Sequence, residues 1–400
     1  AQSPNQSWAA AALARPLENY VSWSPASCKL SFGYQIFSWG VADRKNPTDN
    51  LNPKDYTVGV NPDKIPVLAA DLVWYPSDSI SIEGVAIPSK SVSEYPQDFA
   101  ELVVEHSGAA LANKEVLYTA STDPEDFVAG LKLNYTSPVV DLSLDYLYDL
   151  DQYYTPVITT ETWGSYPVPA YRMASVGLER KRIHRFGGDA KTTLGKFGLW
   201  LEGAYSLTEN DGSDDYSARE SKIAYTLGTD FNFGPNDTGY LNLQYIGAWT
   251  PDYDADFNGI ANGAMLYSTQ GSAQEYYERA MVNLLGLETE GLMQGVTCNL
   301  KYELADSAVT PQVTAVYMMP FLYDDSEETR YGAFVLNPEV DFKPVDSFHI
   351  VLGADLYYAW HKLEGDDSVK LDFQGHGDER GRFLYPVEQR VPESRIQVER

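Results

Sequence analysis

Along much of this chain apolar and polar side chains alternate. The pattern is clearest in Leu131-Lys132-Leu133-Asn134-Tyr135, in Leu142-Ser143-Leu144-Asp145-Tyr146 and in Tyr240-Leu241-Asn242-Leu243-Gln244-Tyr245. A period of two sends successive side chains to opposite faces of a strand, so each stretch predicts a sheet with one apolar and one polar face. Six strand pairs joined by short turns are predicted: 66–76 with 79–88, 126–136 with 139–149, 184–194 with 197–207, 222–233 with 239–249, 292–304 with 309–319, and 331–342 with 348–361. A weaker seventh pair joins 17–23 to 29–39 across Ser-Pro-Ala-Ser. The turns carry Gly, Pro, Asn, Asp and Ser, residues that accept the backbone angles a reversal needs.

The connections between pairs are long: 40–65, 89–125, 150–183, 208–221, 250–291 and 320–330. Short and long connections therefore alternate, which predicts an all-β fold, a transmembrane antiparallel up-and-down β-barrel with short periplasmic turns and long extracellular loops. About 14 strands are visible of an expected 16. Residues 1–363 are assigned to the barrel, with one or more N-terminal strands expected to be missing; 364–400 are read as a polar tail with an atypical or frame-altered end. Two loop stretches, Gln97–Ala112 and Ser272–Leu285, are predicted helical. No run reaches the roughly 18 apolar residues of a membrane helix, and no signal peptide is recognisable.

The 400 residues include 29 basic and 57 acidic side chains, a formal net charge of −28. Phosphate backbones demand a basic surface, so nucleic acid is not expected as a partner. The acidic surplus lies mostly in candidate loops and is only a weak argument for cation preference. Aromatic residues are abundant, with 29 Tyr, 15 Phe and 8 Trp. Trp39, Trp74, Trp249 and Trp360 fall at predicted strand ends, where a barrel places its interfacial aromatic girdle; a packed aromatic core is the alternative. Cys28 and Cys298 are too few for a disulfide framework.

Enzyme signatures are missing: there is no phosphate-binding loop, no dinucleotide fingerprint, no HExxH and no GxSxG. The histidines (His106, His184, His349, His361, His376) have no metal-ligand spacing, and no cofactor is expected. Asp252, Asp254 and Asp256 offer oxygens at alternate positions, a weak calcium candidate. Counted from Asp252, however, the sixth and twelfth positions are Phe257 and Gly263, where a calcium loop needs Gly and Glu. The acidic groups Asp123, Glu125, Asp126 and Asp211, Asp214, Asp215 read as solvated loop. Glu179-Arg180-Lys181-Arg182-Ile183-His184-Arg185 is the one dense basic run. Arg180, Arg182 and Arg185 are read either as a constriction that guides anions or as a rim sequence that balances acid or lipid headgroups.

One stretch changes character abruptly: Gly33–Gly40 reads as an aromatic strand ending at Trp39-Gly40, and the rest of GYQIFSWGVADRKNPTDNLNPKDY is crowded with Asn, Pro and Asp. Gly33, Gln35, Trp39, Gly40, Asp43, Asn46, Pro47, Asp49, Asn52, Pro53 and Asp55 resemble the motif of a bacterial outer-membrane β-barrel family of largely unknown function, related to alginate-export-type porins. Glu18–Trp23 and TTLGKFGLWLEGAYS also resemble its strands. The resemblance implies an outer-membrane barrel and a pore. On this reading Trp39, Asp43, Asn46, Asp49, Asn52 and Asp55, with the three arginines, are the pore or loop-bracing candidates. Bracing of the barrel wall is expected, rather than narrowing of the lumen.

The expected function is a porin-like channel for passive diffusion of small hydrophilic solutes, not an enzyme. The expected partners are the outer-membrane lipid bilayer, the solutes and the barrel-assembly machinery. Two alternatives stand beside it: a surface adhesin or receptor that binds through its long loops, and a soluble secreted glycan-binding β-protein.

Overall fold

Val, Ile, Tyr, Phe and Thr dominate the predicted strands, and these side chains suit a pleated surface. The structure, a computed structural model, describes residues 17–43, 45–56, 62–91, 93–94, 116–118, 127–151, 155–163, 170–208, 219–251, 291–305, 307–321, 329–345, 348–354, 356–363, 370–372 and 395–399. Its strands begin with β1 (Asn19–Trp23), β2 (Cys28–Gln35), β3 (Lys54–Asp55), β4 (Asp63–Lys64), β5 (Val67–Ser77), β6 (Ile80–Ile87) and β7 (Val116–Tyr118). There follow β8 (Val128–Thr136), β9 (Val140–Leu150), β10 (Thr155–Trp163), β11 (Ala170–Glu179), β12 (Arg182–Leu194), β13 (Phe197–Leu207), β14 (Lys222–Phe233) and β15 (Gly239–Trp249). The last are β16 (Leu292–Tyr302), β17 (Val309–Phe321), β18 (Thr329–Val345), β19 (Phe348–Gly353), β20 (Leu356–Leu363), β21 (Lys370–Asp372) and β22 (Arg395–Glu399).

All seven predicted hairpins form, with ends shifted by a few residues. The antiparallel ladder runs β1–β2–β5–β6–β8–β9–β12–β13–β14–β15–β16–β17–β18. The long β18 then pairs with both β19 and β20, so the predicted strand 348–361 is one strand broken near Ala354. Counted so, fourteen strands make the up-and-down sheet. β21 and β22 add to β20 and β19.

The two faces are inverted relative to a water-soluble sheet. Ser31, Asp71, Lys132, Ser143, Asp145, Glu202, Thr226, Gln244, Thr297 and Thr314 are buried, while Leu30, Phe32, Leu72, Leu131, Leu144, Leu201, Leu227, Leu243 and Leu352 on the opposite face are exposed. In water, roughly two dozen such half-exposed apolar side chains would forgo about 1 kcal/mol each, more than the whole stability of an ordinary domain, about 5–15 kcal/mol. Lipid removes that cost.

The sheet must also curl. Val41 and Ala42, just beyond β2, donate backbone N–H bonds to Glu202 on β13 at 2.8 and 2.9 Å. Six strand spacings separate β2 from β13, about 29 Å in a flat sheet. The six residues from Gln35 to Val41 reach at most about 22 Å. Only a strongly curled wall brings the two together, with the polar face inside, as in a barrel.

Two expectations change. β2 ends at Gln35 rather than Gly40, because Phe37 gives its N–H to Asn52 Oδ1 at 2.7 Å instead of to a neighbouring strand. The connection 150–183 is not irregular: β10 and β11 pair as a hairpin, and β7 adds parallel to β11, making a separate three-stranded sheet at the long-loop rim. Its sequences, VITTET and YRMASV, carry the β-branched and aromatic residues that favour strands. The two stretches expected to be helical lie outside the described residues.

Candidate pore constriction

The segment 36–56 turns inward from the long-loop rim. Its Asn residues replace the ladder bonds it lacks. Asn52 accepts from Phe37 N and donates Nδ2 to the carbonyls of Gln35 (3.0 Å) and Ile65 (2.9 Å). Asn46 Oδ1 accepts from Asp49 N at 3.0 Å, and its Nδ2 donates to Ala42 O at 3.2 Å. Gly40 sits at φ +87°, and a Cβ there would meet Asn46 Oδ1, Thr48 Oγ1 and Glu202 Oε2. Only glycine fits that corner.

Phe37, Trp39 and Leu51 enter an apolar cluster with Val67, Ala69, Val85, Ile87, Val128 and Leu147 from the inner face of β5–β9. Trp39 is 1% exposed, so it is a core residue of the lumen and not part of an interfacial girdle. Its indole lies against Gly130, where a Cβ would come within 2.6 Å of the ring, and Nε1 donates to Glu83 Oε1 at 3.1 Å. Trp74 and Trp249, 49% and 42% exposed, do face outward as expected of a girdle. The side chain of Trp360 lies outside the described residues.

The far attachment is a single carboxylate. Glu202 stands mid-way along β13 and takes four hydrogen bonds: from the N–H groups of Val41, Ala42 and Thr48 and from Thr48 Oγ1, all at 2.8–2.9 Å. Beyond it, Thr226 on β14 donates to Lys45 O at 2.7 Å, and Asp43 N donates to Gln244 Oε1 on β15 at 3.3 Å. Asn242 Nδ2 donates to Asp43 Oδ2. The segment therefore lies inside the barrel, pinned at mid-depth to β13, β14 and β15. Glu202, Gln244 and Thr226 were not singled out in the sequence. The available signal was a lone acid on the polar register of a strand, in LWLEGAY, facing a loop rich in backbone donors.

Charge at the long-loop rim is buried and paired. Lys90 donates to both oxygens of Asp149 at 2.8 Å and to Asn50 O at 2.5 Å, tying the segment after β6 to the inward loop. Burial, partly offset by Asp149, pushes the Lys90 ammonium down to about 8. Burial likewise lowers Lys54, with Asp49 opposing. Asp49 pairs with Lys64 at 2.7 Å, and Asp55 is buried on the short β3–β4 ladder.

The three candidate arginines do not share one surface. Arg185 faces inward, its Nε 3.7 Å from Asp149. Arg180 donates to the carbonyls of Lys90 (2.7 Å) and Asp151 (2.9 Å). Arg182 faces outward, its guanidinium 4.4 Å from the ring centre of Tyr148 and 5.8 Å from that of Phe127. The strand alternation of β12 separates them, since 182 and 185 differ by an odd number. Asp252, Asp254 and Asp256 lie outside the described residues, and no metal-binding group of acids, His or Cys occurs among the described ones.

No family model matches the chain, and no curated protein matches it in sequence. Among solved structures, the Acinetobacter baumannii protein OccAB4 is similar at 11% identity and TM-score 0.43, covering 88% of this chain and 71% of that one. Pseudomonas aeruginosa OpdQ is similar at 9% identity and TM-score 0.44, covering 88% and 77%. Escherichia coli Wzi, described as an outer-membrane, carbohydrate-binding β-barrel involved in group 1 capsule assembly, is similar at 10% identity and TM-score 0.42, covering 88% and 67%. The barrel assignment itself rests on the ladder and on the cross-lumen bonds of Glu202.

Proposed function

We propose that this chain is a bacterial outer-membrane porin-like channel for passive diffusion of small hydrophilic solutes, with segment 36–56 as its constriction. The observation that carries this reading is the apolar outside and polar inside of one barrel, crossed at mid-depth by a loop bonded to Glu202. A diffusion pore needs no catalytic group. It needs a wetted wall and an element that limits its width. The short-turn rim is read as periplasmic and the long-loop rim as extracellular, with delivery by the barrel-assembly machinery.

The test is single-channel conductance of refolded protein in planar bilayers. Discrete ohmic steps that grow when Glu202 is replaced by Ala support a pore gated in width by this loop. Absence of any conductance in protein that migrates with heat-modifiable mobility would leave a receptor or adhesin barrel. The separate β7–β10–β11 sheet at the long-loop rim favours that second reading, since it offers a binding surface outside the membrane. The apolar outer coat weighs against a soluble glycan-binding protein.

A further inference from the structure

Among the described side chains, the outward face of the barrel has a single charged interruption, Arg182. Pairing registers assign one set of positions to that face in every barrel strand: Leu30, Phe32 and Tyr34 on β2, Leu131, Leu133 and Tyr135 on β8, Leu142, Leu144, Tyr146 and Tyr148 on β9, and so on round the wall. Among the described residues of β2 through β17 in the barrel sheet, this register holds no Asp, Glu or Lys. Arg182 is its one Arg and His184 its one His. A chain of net charge −28 thus keeps every acid off its outer wall and sets a cation there.

Position makes the exception informative. Arg182 opens β12 at the long-loop rim, at the end of the strand's outward register. A charge two turns of pleat deeper would face hydrocarbon at a cost of about 2–4 kcal/mol; near the interface the cost falls to about 0–1 kcal/mol. Its guanidinium lies over the ring of Tyr148, 4.4 Å from its centre, and 5.8 Å from that of Phe127, and donates Nη1 to Phe127 O at 2.8 Å. His184, two residues on, shares a hydrogen bond of 2.8 Å between Nδ1 and Tyr146 Oη, and its ring lies 5.3 Å from that of Tyr148. Arg and His are thereby fixed side by side on an aromatic platform.

We propose that the outer face of β9–β12 at the long-loop rim, centred on Arg182 and His184, holds the phosphate of a phosphorylated lipid headgroup in the outer leaflet. The ligand class follows from the charge and the depth. A planar guanidinium matches phosphate oxygens in two-point geometry, and aromatic residues at a barrel rim favour the boundary between acyl chains and headgroups. A soluble anion would have no use for the apolar surround. The proposal rests on the membrane-barrel reading.

The test uses full-length protein refolded into phosphatidylcholine nanodiscs that contain lipid A, either bearing its phosphates or with them removed, and native mass spectrometry of the retained lipid. Wild type is expected to retain the phosphorylated form preferentially. Arg182→Gln should lower that preference about tenfold, the scale of one charge-assisted contact, and His184→Gln should lower it less. Lys191→Gln, which alters an inward-facing cation on the same strand, should leave it unchanged. Insertion of wild type with equal retention of both forms overturns the proposal alone, as does undiminished preference in Arg182→Gln. Failure of wild type to insert into any disc overturns the barrel reading and this proposal with it.

Discussion

The two halves of the barrel wall share an outside and differ within. From β8 to β13 the inner face carries Lys132, Asp145, Asp149, Arg185, Asp189 and Glu202, and the inward loop lies against it. From β16 to β17, which the inward loop does not reach, the inner face carries Thr297, Asn299, Gln312 and Thr314, with Lys301 at the short-turn end; Thr297 bonds Gln244 of β15 at 3.4 Å and Asn299 bonds Thr314 at 3.0 Å. Charges gather where a segment without ladder bonds has to be held, because an ionised acceptor makes stronger bonds to backbone N–H than a neutral one. Where no segment docks, hydroxyls and amides satisfy each other across neighbouring strands. The difference separates a wall that holds the inward segment from a wall that only lines the interior.

That contrast can be broken in four ways, of decreasing effect. Trp39→Ala deletes the largest side chain of the inner apolar cluster and should cost about 3–5 kcal/mol, read as a lower midpoint of heat-modifiable gel mobility. Glu202→Ala leaves three loop N–H groups without their acceptor and should cost about 2–4 kcal/mol, raise conductance and expose segment 36–56 to protease. If conductance and protease resistance both stay at the wild-type level, the loop is not held by this carboxylate and the contrast fails.

Lys90 gives the third. Its folded value, about 8, lies below the ordinary 10.5, so between those pH values the unfolded chain binds more protons than the folded one. Stability should therefore rise with pH across that window and be insensitive to this group below it. Lys90→Met should flatten the rise; an identical pH profile in the variant would refute the assignment. The fourth concerns the neutral wall: Thr314→Val and Gln312→Ala should cost about 1 kcal/mol or less and leave conductance near wild type. A conductance change as large as that of Glu202→Ala would show that both walls shape the constriction.

Much of the fold was legible because its signal is local. Tyr240–Tyr245 alternates within six residues, and Gly195-Lys196 marks a turn without reference to anything distant. The β10–β11 hairpin was missed because its strands sit inside what spacing alone marked as one long connection. Within the inward segment, Trp39, Asp43, Asn46, Asp49 and Asn52 were legible as a group from their crowding. Their direction was not. Trp39 looks like a girdle residue by position, and it is buried because Gly130, 91 residues away, leaves room for its ring. The basic run misled for a simpler reason: Arg182 and Arg185 are neighbours in sequence and face opposite sides of the wall.

By itself the sequence determined which side chains meet lipid and which face inward, since a period of two needs only the strand that carries it. It also determined that segment 41–56 could not continue the sheet, because its prolines and short amide side chains remove or replace ladder bonds. Only the tertiary structure decided where that segment goes. Its direction depends on a carboxylate 160 residues further along, brought within 2.9 Å by the curvature of five intervening strands. No local pattern encodes that meeting, which exists only once the wall has closed around it.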